Sequence, residues 1–412
     1  MLIIARLPWS KKHFLKANFR LLEFFGYKMD NKRWTRAQYW RSYFGRSLLM
    51  GLTIYCAVYN FYDIFSNIAK DRVVQGIQAI SLPSMAITAI IAHLHFIVYK
   101  TELDTLFGQI DDMVKFSLRL SPAISKPRLD KYSFISNLLI VLLYLTIPLA
   151  GMTNLQTPLI YLIQNGAQSN YSEIPMPFEV YYGTKPREDP KMFWLIAIIQ
   201  TLQMMFSLAY FVPVLSCYFS VIYFLQSMNE ITNLFFSHFF ISAQDTDNPY
   251  NPEMIPFRGV LLLHQKLLRT MEMFADIMAA PLFAAFTFGV AYLALAFFEI
   301  VMYGFDPQNS KAAIMIMMSL AVTFCVMWFF QTISELTSHP LRALYFRPWY
   351  RIRDQKFLEN FKFVMLRTSK EVKYTLGGLS TEATMDTYIN LLKCAFSYTS
   401  LLKETKKRID KT

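Results

Sequence analysis

Glycine and catalytic motifs are scarce in this sequence, and their scarcity argues against an enzyme. Glycine accounts for 13 of the 412 residues, which leaves little material for a tight loop that cradles a nucleotide. The sequence also lacks a Gly-x-Ser-x-Gly elbow and a His-Glu-x-x-His helix, the motifs of many serine and zinc hydrolases. We therefore expect no catalytic residues and no bound cofactor.

Cysteine is rare as well, and its placement argues against disulfides and metal sites. The four cysteines are Cys56, Cys217, Cys325 and Cys394. Each lies in an apolar segment, and no pair has the spacing of a zinc site. We expect all four to behave as small buried hydrophobic side chains. His93 and His95 are two positions apart on a helix, so they point in nearly opposite directions and do not form a metal site.

Acidic residues are outnumbered by basic ones. The chain has 29 Asp and Glu against 41 Lys and Arg, which gives a formal net charge of +12. An excess of this size is common in proteins that bind nucleic acid. Here, however, no basic patch with interleaved aromatic residues stands apart from the hydrophobic segments. We exclude nucleic acid as a partner and expect the basic residues to lie in the loops of a membrane protein.

Long hydrophobic segments are what the chain has in abundance. Hydrophobic residues make up 54% of the sequence, and several apolar runs reach the roughly 20 residues that a helix needs to cross a membrane. We predict an all-α, polytopic membrane protein with seven transmembrane helices. They lie at about residues 44–64, 73–98, 134–152, 192–224, 274–301, 312–333 and 381–402. The fourth continues as a helix to about residue 240, which is too long for a single span.

The distribution of positive charge predicts the orientation of these helices. Residues 1–43 contain ten Lys and Arg, and residues 100–131 contain six. By the positive-inside rule both regions face the cytoplasm, so the N-terminus lies inside and the C-terminus outside. On this topology the sequon at Asn170 is extracellular, where glycosylation requires it. A G-protein-coupled receptor has the reverse orientation, so that class fits the charge distribution less well.

The predicted spans divide the chain into five parts. Residues 1–43 are a basic, aromatic segment that lies on cytoplasmic membrane lipid or packs as a cap. A six-helix bundle (44–336), a cytoplasmic connector (337–380), the last helix (381–403) and a basic extracellular tail (404–412) follow.

The last helix is the most unusual segment, because it is long enough to span a membrane yet carries charged and polar residues. Such residues are tolerated at membrane depth chiefly where they face protein or water. Lys393, Phe396, Ser397 and Ser400 repeat at helical spacing and are typical of a stripe that lines a pore. A polar seam between helices is the alternative. An inward-facing Lys393 disfavours cations, so we expect it away from the narrowest point, or diluted by a different subunit.

The C-terminal fifth resembles a known family. The sequence Glu335-Leu336-Thr337, the pair Trp349-Tyr350 and the closing segment from Leu391 to Leu402 resemble the C-terminal signature of insect odorant receptors. Phe396 stands where that signature has a tyrosine, and Ile333-Ser334 stands where Gly-Asn is common. A gustatory receptor is the nearest rival, but its usual closing Gln-Phe is absent. A secondary transporter requires an internal repeat, which we do not find.

The resemblance implies a ligand-gated, non-selective cation channel of four subunits around a central pore. An odorant-specific subunit of this family typically assembles with a shared odorant receptor co-receptor in the plasma membrane of sensory neuron dendrites. The last helix then lines the pore for permeant cations, and the connector belongs to an inner anchor between subunits.

The resemblance also places the pocket for a small volatile odorant in the outer half of the bundle. Such a site is apolar and aromatic with few polar groups. On the predicted topology the outer half contains ten candidate ligand contacts: Ser84, Met85, Tyr144, Pro148, Met152, Trp194, Ile198, Thr201, Tyr292 and Phe297. Pro148 is also expected to kink its helix and open space for a ligand.

Overall fold

The structure is a computed structural model that describes most of the chain from residue 36 onward. The described residues are 36–69, 81–165, 174, 176, 189–242, 257–303, 310–338, 344–346, 349, 355–369, 371–377 and 380–409. The amphipathic N-terminal segment up to residue 35 and the sequon at Asn170 lie outside this set. Both therefore stay as predictions from the sequence.

The regular elements in the described residues are helices. They are α1 (Arg36–Ala69), α2 (Ser81–Val98), α3 (Lys100–Leu120), α4 (Pro122–Asn165), α5 (Pro190–Ser242), α6 (Phe257–Tyr303), α7 (Ser310–Leu336), α8 (Gln355–Thr368) and α9 (Met385–Ile409). An isolated antiparallel bridge between Thr375 and Glu382 precedes α9. The all-α prediction is confirmed.

Four of the described helices are long and apolar enough to cross a membrane. They contain the segments Pro122–Leu149, Pro190–Phe239, Phe257–Phe298 and Ser319–Leu336. The chain is therefore a multi-pass membrane protein. The count of seven spans and the orientation of the ends stay predictions. The last helix, α9, is not among these four.

Three helices are much longer than a single crossing requires. α4, α5 and α6 contain 44, 53 and 47 residues, or roughly 65 to 80 Å at 1.5 Å per residue. The hydrocarbon core of a membrane is only about 30 Å thick. Part of each helix therefore lies beyond it. The sequence had suggested such an extension for α5 alone.

The largest buried core lies toward the end of the bundle that the charge pattern predicts to be cytoplasmic, which we call the inner end. The second half of α5 runs through its centre, between α6 and the inner ends of α2, α4 and α7. Phe224, Phe236, Phe274 and Phe330 are fully or almost fully buried there. α8 and the segment before α9 also contribute to this core, through Phe361 and Tyr374. The inner half thus contains the largest core among the described residues.

A short turn holds the start of α9 against this core. The amide of Ala383 donates to the carbonyl of Tyr374 at 2.7 Å, and the amide of Leu376 donates to the carbonyl of Thr381 at 3.0 Å. The amide of Met385, at the start of the helix, donates to the side chain of Gln331 on α7 at 2.8 Å. The beginning of α9 is therefore fixed by bonds on both sides of the turn.

Glycine at position 377 is required by the backbone of this turn. Gly377 has a φ of 59°, a conformation that costs an L-residue roughly 1–2 kcal/mol. A Cβ atom there would also lie 2.7 Å from the Cβ of Phe283 on α6. The turn therefore approaches α6 more closely than a side chain at residue 377 permits.

Replacing Gly377 by alanine is expected to lower the stability of the chain by at least about 1 kcal/mol, because it combines backbone strain with a steric clash. The thermal unfolding midpoint of the purified protein measures the effect. Gly108→Ala is the matched control, since no atom lies within 4 Å of a Cβ placed on Gly108. Equal midpoints for the two variants would show that the turn does not need glycine.

Candidate functional site

One face of α9 packs against the bundle. Thr387, Leu391, Ala395 and Thr399 are buried and follow one another at intervals of four residues, which places them on a single helical face. This stripe contacts α6 and α7. The hydroxyl of Thr399 donates to the carbonyl of Ala294 on α6 at 3.1 Å, as well as to its own helix. α9 is therefore attached to α6 by packing and by a direct hydrogen bond.

The opposite face of α9 is exposed in the single chain. It carries the four predicted pore residues Lys393, Phe396, Ser397 and Ser400. Phe396 keeps 65% of its surface exposed, and its ring lies 6.3 Å from that of Phe297. The four side chains share a surface that the bundle does not cover. Whether that surface lines a pore stays a prediction.

One prediction about the cysteines is wrong. Cys394 is exposed, whereas Cys217 is buried and Cys325 is intermediate. The segment around Cys394 is apolar in sequence, but α9 buries only the stripe that includes Leu391 and Ala395. Cys394 lies outside that stripe and beside Lys393. The side chain of Cys56 lies outside the described set.

Four of the predicted ligand contacts are at least half buried, but in different surroundings. Trp194 packs beside Phe193 against the buried residues Ile174 and Met176, which cover the outer end of the bundle. Phe297 packs instead near α9. Tyr144 and Thr201 complete this group. The hydroxyl of Tyr144 on α4 interacts with Ser216 on α5, and Thr201 bonds back to its own helix.

The other six candidates do not converge on a described cavity. Pro148, Met152 and Ile198 are exposed on the outside of the single chain. Ser84, Met85 and Tyr292 lie on the described helices α2 and α6, but their side chains are outside the described set. Ligand contact at all ten positions stays a prediction.

A cavity lies between α2, α5, α6 and α7, which we call the inner cavity. Its volume is about 90 Å³, several times the space that one water needs. Its lining residues are Ile91, Ala92, His95, Phe211, Val214, Leu215, Tyr218, Phe219, Ile222, Met278, Pro281, Leu282, Ala284, Ala285, Val322, Thr323, Val326, Met327 and Phe330. None of the seven predicted ligand contacts whose side chains are described is among them. Phe211 lies ten residues beyond Thr201 on α5, about 15 Å along the helix.

A proline in α6 explains the polar contacts at this cavity. Pro281 has no N–H and leaves the carbonyl of Ile277, four residues earlier, without its helical partner. Nε2 of His95 lies 2.8 Å from that carbonyl oxygen. A carbonyl only accepts, so Nε2 carries the proton, and Nδ1 of the neutral ring accepts from the hydroxyl of Tyr218 at 2.7 Å. These bonds join α2, α5 and α6 at one point.

The same region of α6 holds the turn before α9. The amide of Gly377 donates to the carbonyl of Ala279 at 2.8 Å, two residues before the proline. Phe330, which lines the inner cavity, also has its ring 5.0 Å from that of Tyr374 in the turn. Burial raises the pKa of Tyr374, so its ring enters the core in the neutral form. The cavity wall and the start of α9 are therefore in direct contact.

A second connection runs through a glycine of α6. A Cβ atom on Gly289 would lie 3.4 Å from Cγ2 of Thr323 and 3.9 Å from Cδ1 of Leu391. These are ordinary van der Waals distances, so α7 and α9 both pack against α6 beside Gly289. Thr323 lines the inner cavity, and Leu391 belongs to the buried stripe of α9. The two helices thus meet at the level of the cavity.

Comparison with known proteins decides the family. A sequence model described as 7tm Odorant receptor matches residues 72–396, which is more than half of the chain. The chain belongs to the odorant receptor family. This is a family of ligand-sensing membrane receptors and not of enzymes.

Solved structures of similar fold agree with this assignment. The insect olfactory receptor OR5 from Machilis hrabei has a TM-score of 0.68 to this odorant receptor, with 10% sequence identity over 94% of this chain and 97% of that chain. The structure of OR5 in complex with eugenol has a TM-score of 0.67, with 10% identity over 95% of this chain and 98% of that chain. At this identity the likeness shows the fold alone. No curated protein sequence matches the chain.

The hydrogen bond from His95 to the Ile277 carbonyl, which Pro281 leaves free, is tested by a double-mutant cycle. His95→Leu removes the donor to Ile277 and is expected to destabilise the receptor by roughly 1–3 kcal/mol, because it leaves a buried carbonyl unsatisfied. Pro281→Ala supplies an N–H to that carbonyl, so the cost of His95→Leu falls by about 1 kcal/mol in that background. Thermal unfolding of the purified variants measures both values. Pro158→Ala on α4 is the control, and its effect on stability is expected to add to that of His95→Leu. If the effects of Pro281→Ala and His95→Leu also add, the hydrogen bond between His95 and Ile277 is refuted.

Proposed function

We propose that this odorant receptor binds a small volatile organic molecule within its helical bundle and gates a non-selective cation channel. The observation that carries the proposal is the exposed polar and aromatic face of α9. Lys393, Ser397 and Ser400 are costly to expose to lipid, and they lie opposite the buried stripe. An assembly that surrounds a water-filled path with this face removes the cost. Membership of the odorant receptor family supports the same reading.

The odorant site is proposed in the outer half of the bundle, at the ten residues that the sequence analysis named. Trp194 and Tyr144, which pack in different surroundings, supply aromatic surface and a hydroxyl, the kinds of group that small-molecule sites commonly combine. OR5 is described in complex with eugenol, a small aromatic molecule, and shares this fold. An outer pocket of this kind selects apolar ligands with one or two polar atoms.

Gating is proposed to act through α6. Its outer half carries Tyr292 and Phe297, and it is bonded to α9 through Ala294 and Thr399. A ligand that shifts the outer half of α6 therefore displaces α9 directly. Because a ligand changes an equilibrium only by its difference in affinity for the two states, the pocket must differ in shape between the closed and open channel.

The channel is proposed to be a heterotetramer with the odorant receptor co-receptor, located in the plasma membrane. The exposed position of Lys393 on α9 supports the need for a second kind of subunit. Four lysines at one level of a pore repel cations, whereas a pore shared with subunits that lack the lysine carries fewer positive charges. The last helix then contributes only part of the pore wall.

Expression with and without an odorant receptor co-receptor tests this proposal. We expect volatile esters, alcohols or aldehydes to evoke whole-cell cation current when both chains are present. Current from the receptor alone would replace the heteromer with a homomer. Silence under both conditions, with the protein detected at the cell surface, would contradict the channel.

Cysteine accessibility tests the face of α9 that lines the pore. In a Cys394→Ser background, Ser397→Cys is expected to react with a charged thiol reagent at least about tenfold faster than Ala395→Cys, because only the exposed thiol ionises readily. The reaction should also reduce odorant-evoked current. Ala395→Cys is the matched control, since residue 395 has no exposed surface. Equal rates, or modification without loss of current, would remove α9 from the pore wall.

A further inference from the structure

The inner cavity is apolar over almost all of its wall. Among the lining residues that the structure describes, His95, Tyr218 and Thr323 are the ones that carry hydrogen-bonding side-chain groups. The remaining walls are aliphatic or aromatic side chains and the ring of Pro281. A cavity of this kind stays dry when empty and gains free energy when an apolar molecule fills it. The walls therefore favour an organic occupant over water.

The polar groups of the wall discriminate between kinds of occupant. His95 gives its proton to the carbonyl of Ile277, and Tyr218 gives its proton to His95. Thr323 gives its proton to the carbonyl of Ser319 at 2.6 Å. An occupant that only accepts hydrogen bonds must break one of these bonds to find a donor. The oxygen of Thr323 keeps a lone pair, so an occupant with a hydroxyl group finds an acceptor at no such cost.

We propose that the inner cavity is a second small-molecule site, separate from the outer odorant pocket, which takes an apolar molecule with one hydroxyl group. The class comprises monohydric alcohols and phenols of moderate size. Such an occupant places its hydroxyl against the Thr323 oxygen and its hydrocarbon part between α5 and α6. Ketones and esters of the same size bind this site more weakly, because the described residues of the wall offer no uncommitted donor for them.

Occupancy of the inner cavity acts on α9 through two contacts. Phe330 forms part of the wall and packs on Tyr374 in the turn before α9. On the other side, Thr323 and Leu391 of α9 both pack beside Gly289 of α6. An occupant that moves α6 and α7 apart strains both contacts. When the cavity is empty, the two helices can move together again. The inner site therefore sets how much odorant is needed to open the channel, an effect that rests on the proposed function.

Binding to the purified receptor tests the site independently of channel activity. The probes are 1-heptanol and 2-heptanone, which match in carbon number and differ in hydrogen bonding. Ligand-observed NMR is expected to give a dissociation constant about fivefold lower for heptanol, the difference made by one hydrogen bond. Thr323→Val keeps the side-chain shape and abolishes this preference. Thr332→Val, which removes a similar hydroxyl from an exposed position of α7, leaves the preference intact.

Filling the cavity separates this site from the outer pocket. Ala285→Leu places a larger side chain in the cavity and is expected to abolish heptanol binding there, while Ala280→Leu, at an exposed position of α6 five residues earlier, does not. Tyr144→Ala in the proposed outer pocket also leaves the Thr323-dependent binding unchanged. A heptanol preference that survives Thr323→Val, or binding that survives Ala285→Leu, would overturn the inner site.

Current recordings then distinguish failure of this inference from failure of the proposed function. With the co-receptor present, heptanol is expected to shift the odorant concentration that gives half-maximal current, and Ala285→Leu is expected to remove the shift but keep the odorant response. If Ala285→Leu removes the odorant response itself while Tyr144→Ala does not alter it, the cavity is the odorant pocket and not a second site. If odorants evoke no current in the unmodified receptor, the proposed function fails, and the NMR result still decides whether the cavity binds.

Discussion

The missing N–H of Pro281 is the constraint on which the centre of this receptor depends. A proline inside a helix leaves one carbonyl without a partner, and a buried unsatisfied carbonyl is expensive. His95 from α2 satisfies the carbonyl of Ile277 and is held in place by Tyr218 from α5. The carbonyl of Ala279, two residues after Ile277 on α6, accepts a hydrogen bond from the amide of Gly377. The bonds of His95 join three helices beside Pro281, and the separate bond from Gly377 joins α6 to the turn that precedes α9.

This arrangement gives the two ends of the bundle different properties. The inner half has a continuous aromatic core around α5, to which α8 and the turn before α9 contribute. The described outer half has smaller clusters, such as the one that includes Ile174 and Trp194. The packed inner half is suited to transmitting a displacement to α9, because α9 is hydrogen-bonded to Gln331 on α7 and to Ala294 on α6.

Several features were accessible from sequence because they depend on local pattern. Long apolar runs predicted helices and a membrane protein, and the residues around Trp349 and Tyr398 identified the family. The polar stripe of Lys393, Ser397 and Ser400 followed from helical spacing, and the structure leaves these residues exposed together. Burial of Cys394 was predicted wrongly, because local hydrophobicity does not reveal which face of a helix a neighbour covers. The role of His95 was missed, although an internal proline such as Pro281 signals that some donor must reach its free carbonyl.

The sequence by itself determined the helical class, the membrane environment and the family, since these follow from composition, periodicity and short motifs along one segment. The tertiary structure decided which residues meet. The contact between His95 and Ile277 spans 182 positions, and the bond from Gly377 to Ala279 likewise joins distant parts of the chain. The inner cavity is lined by residues of four helices, so no single segment of the sequence determines its shape. Contacts of this kind depend on how helices pack, a property of the whole bundle that no local pattern encodes.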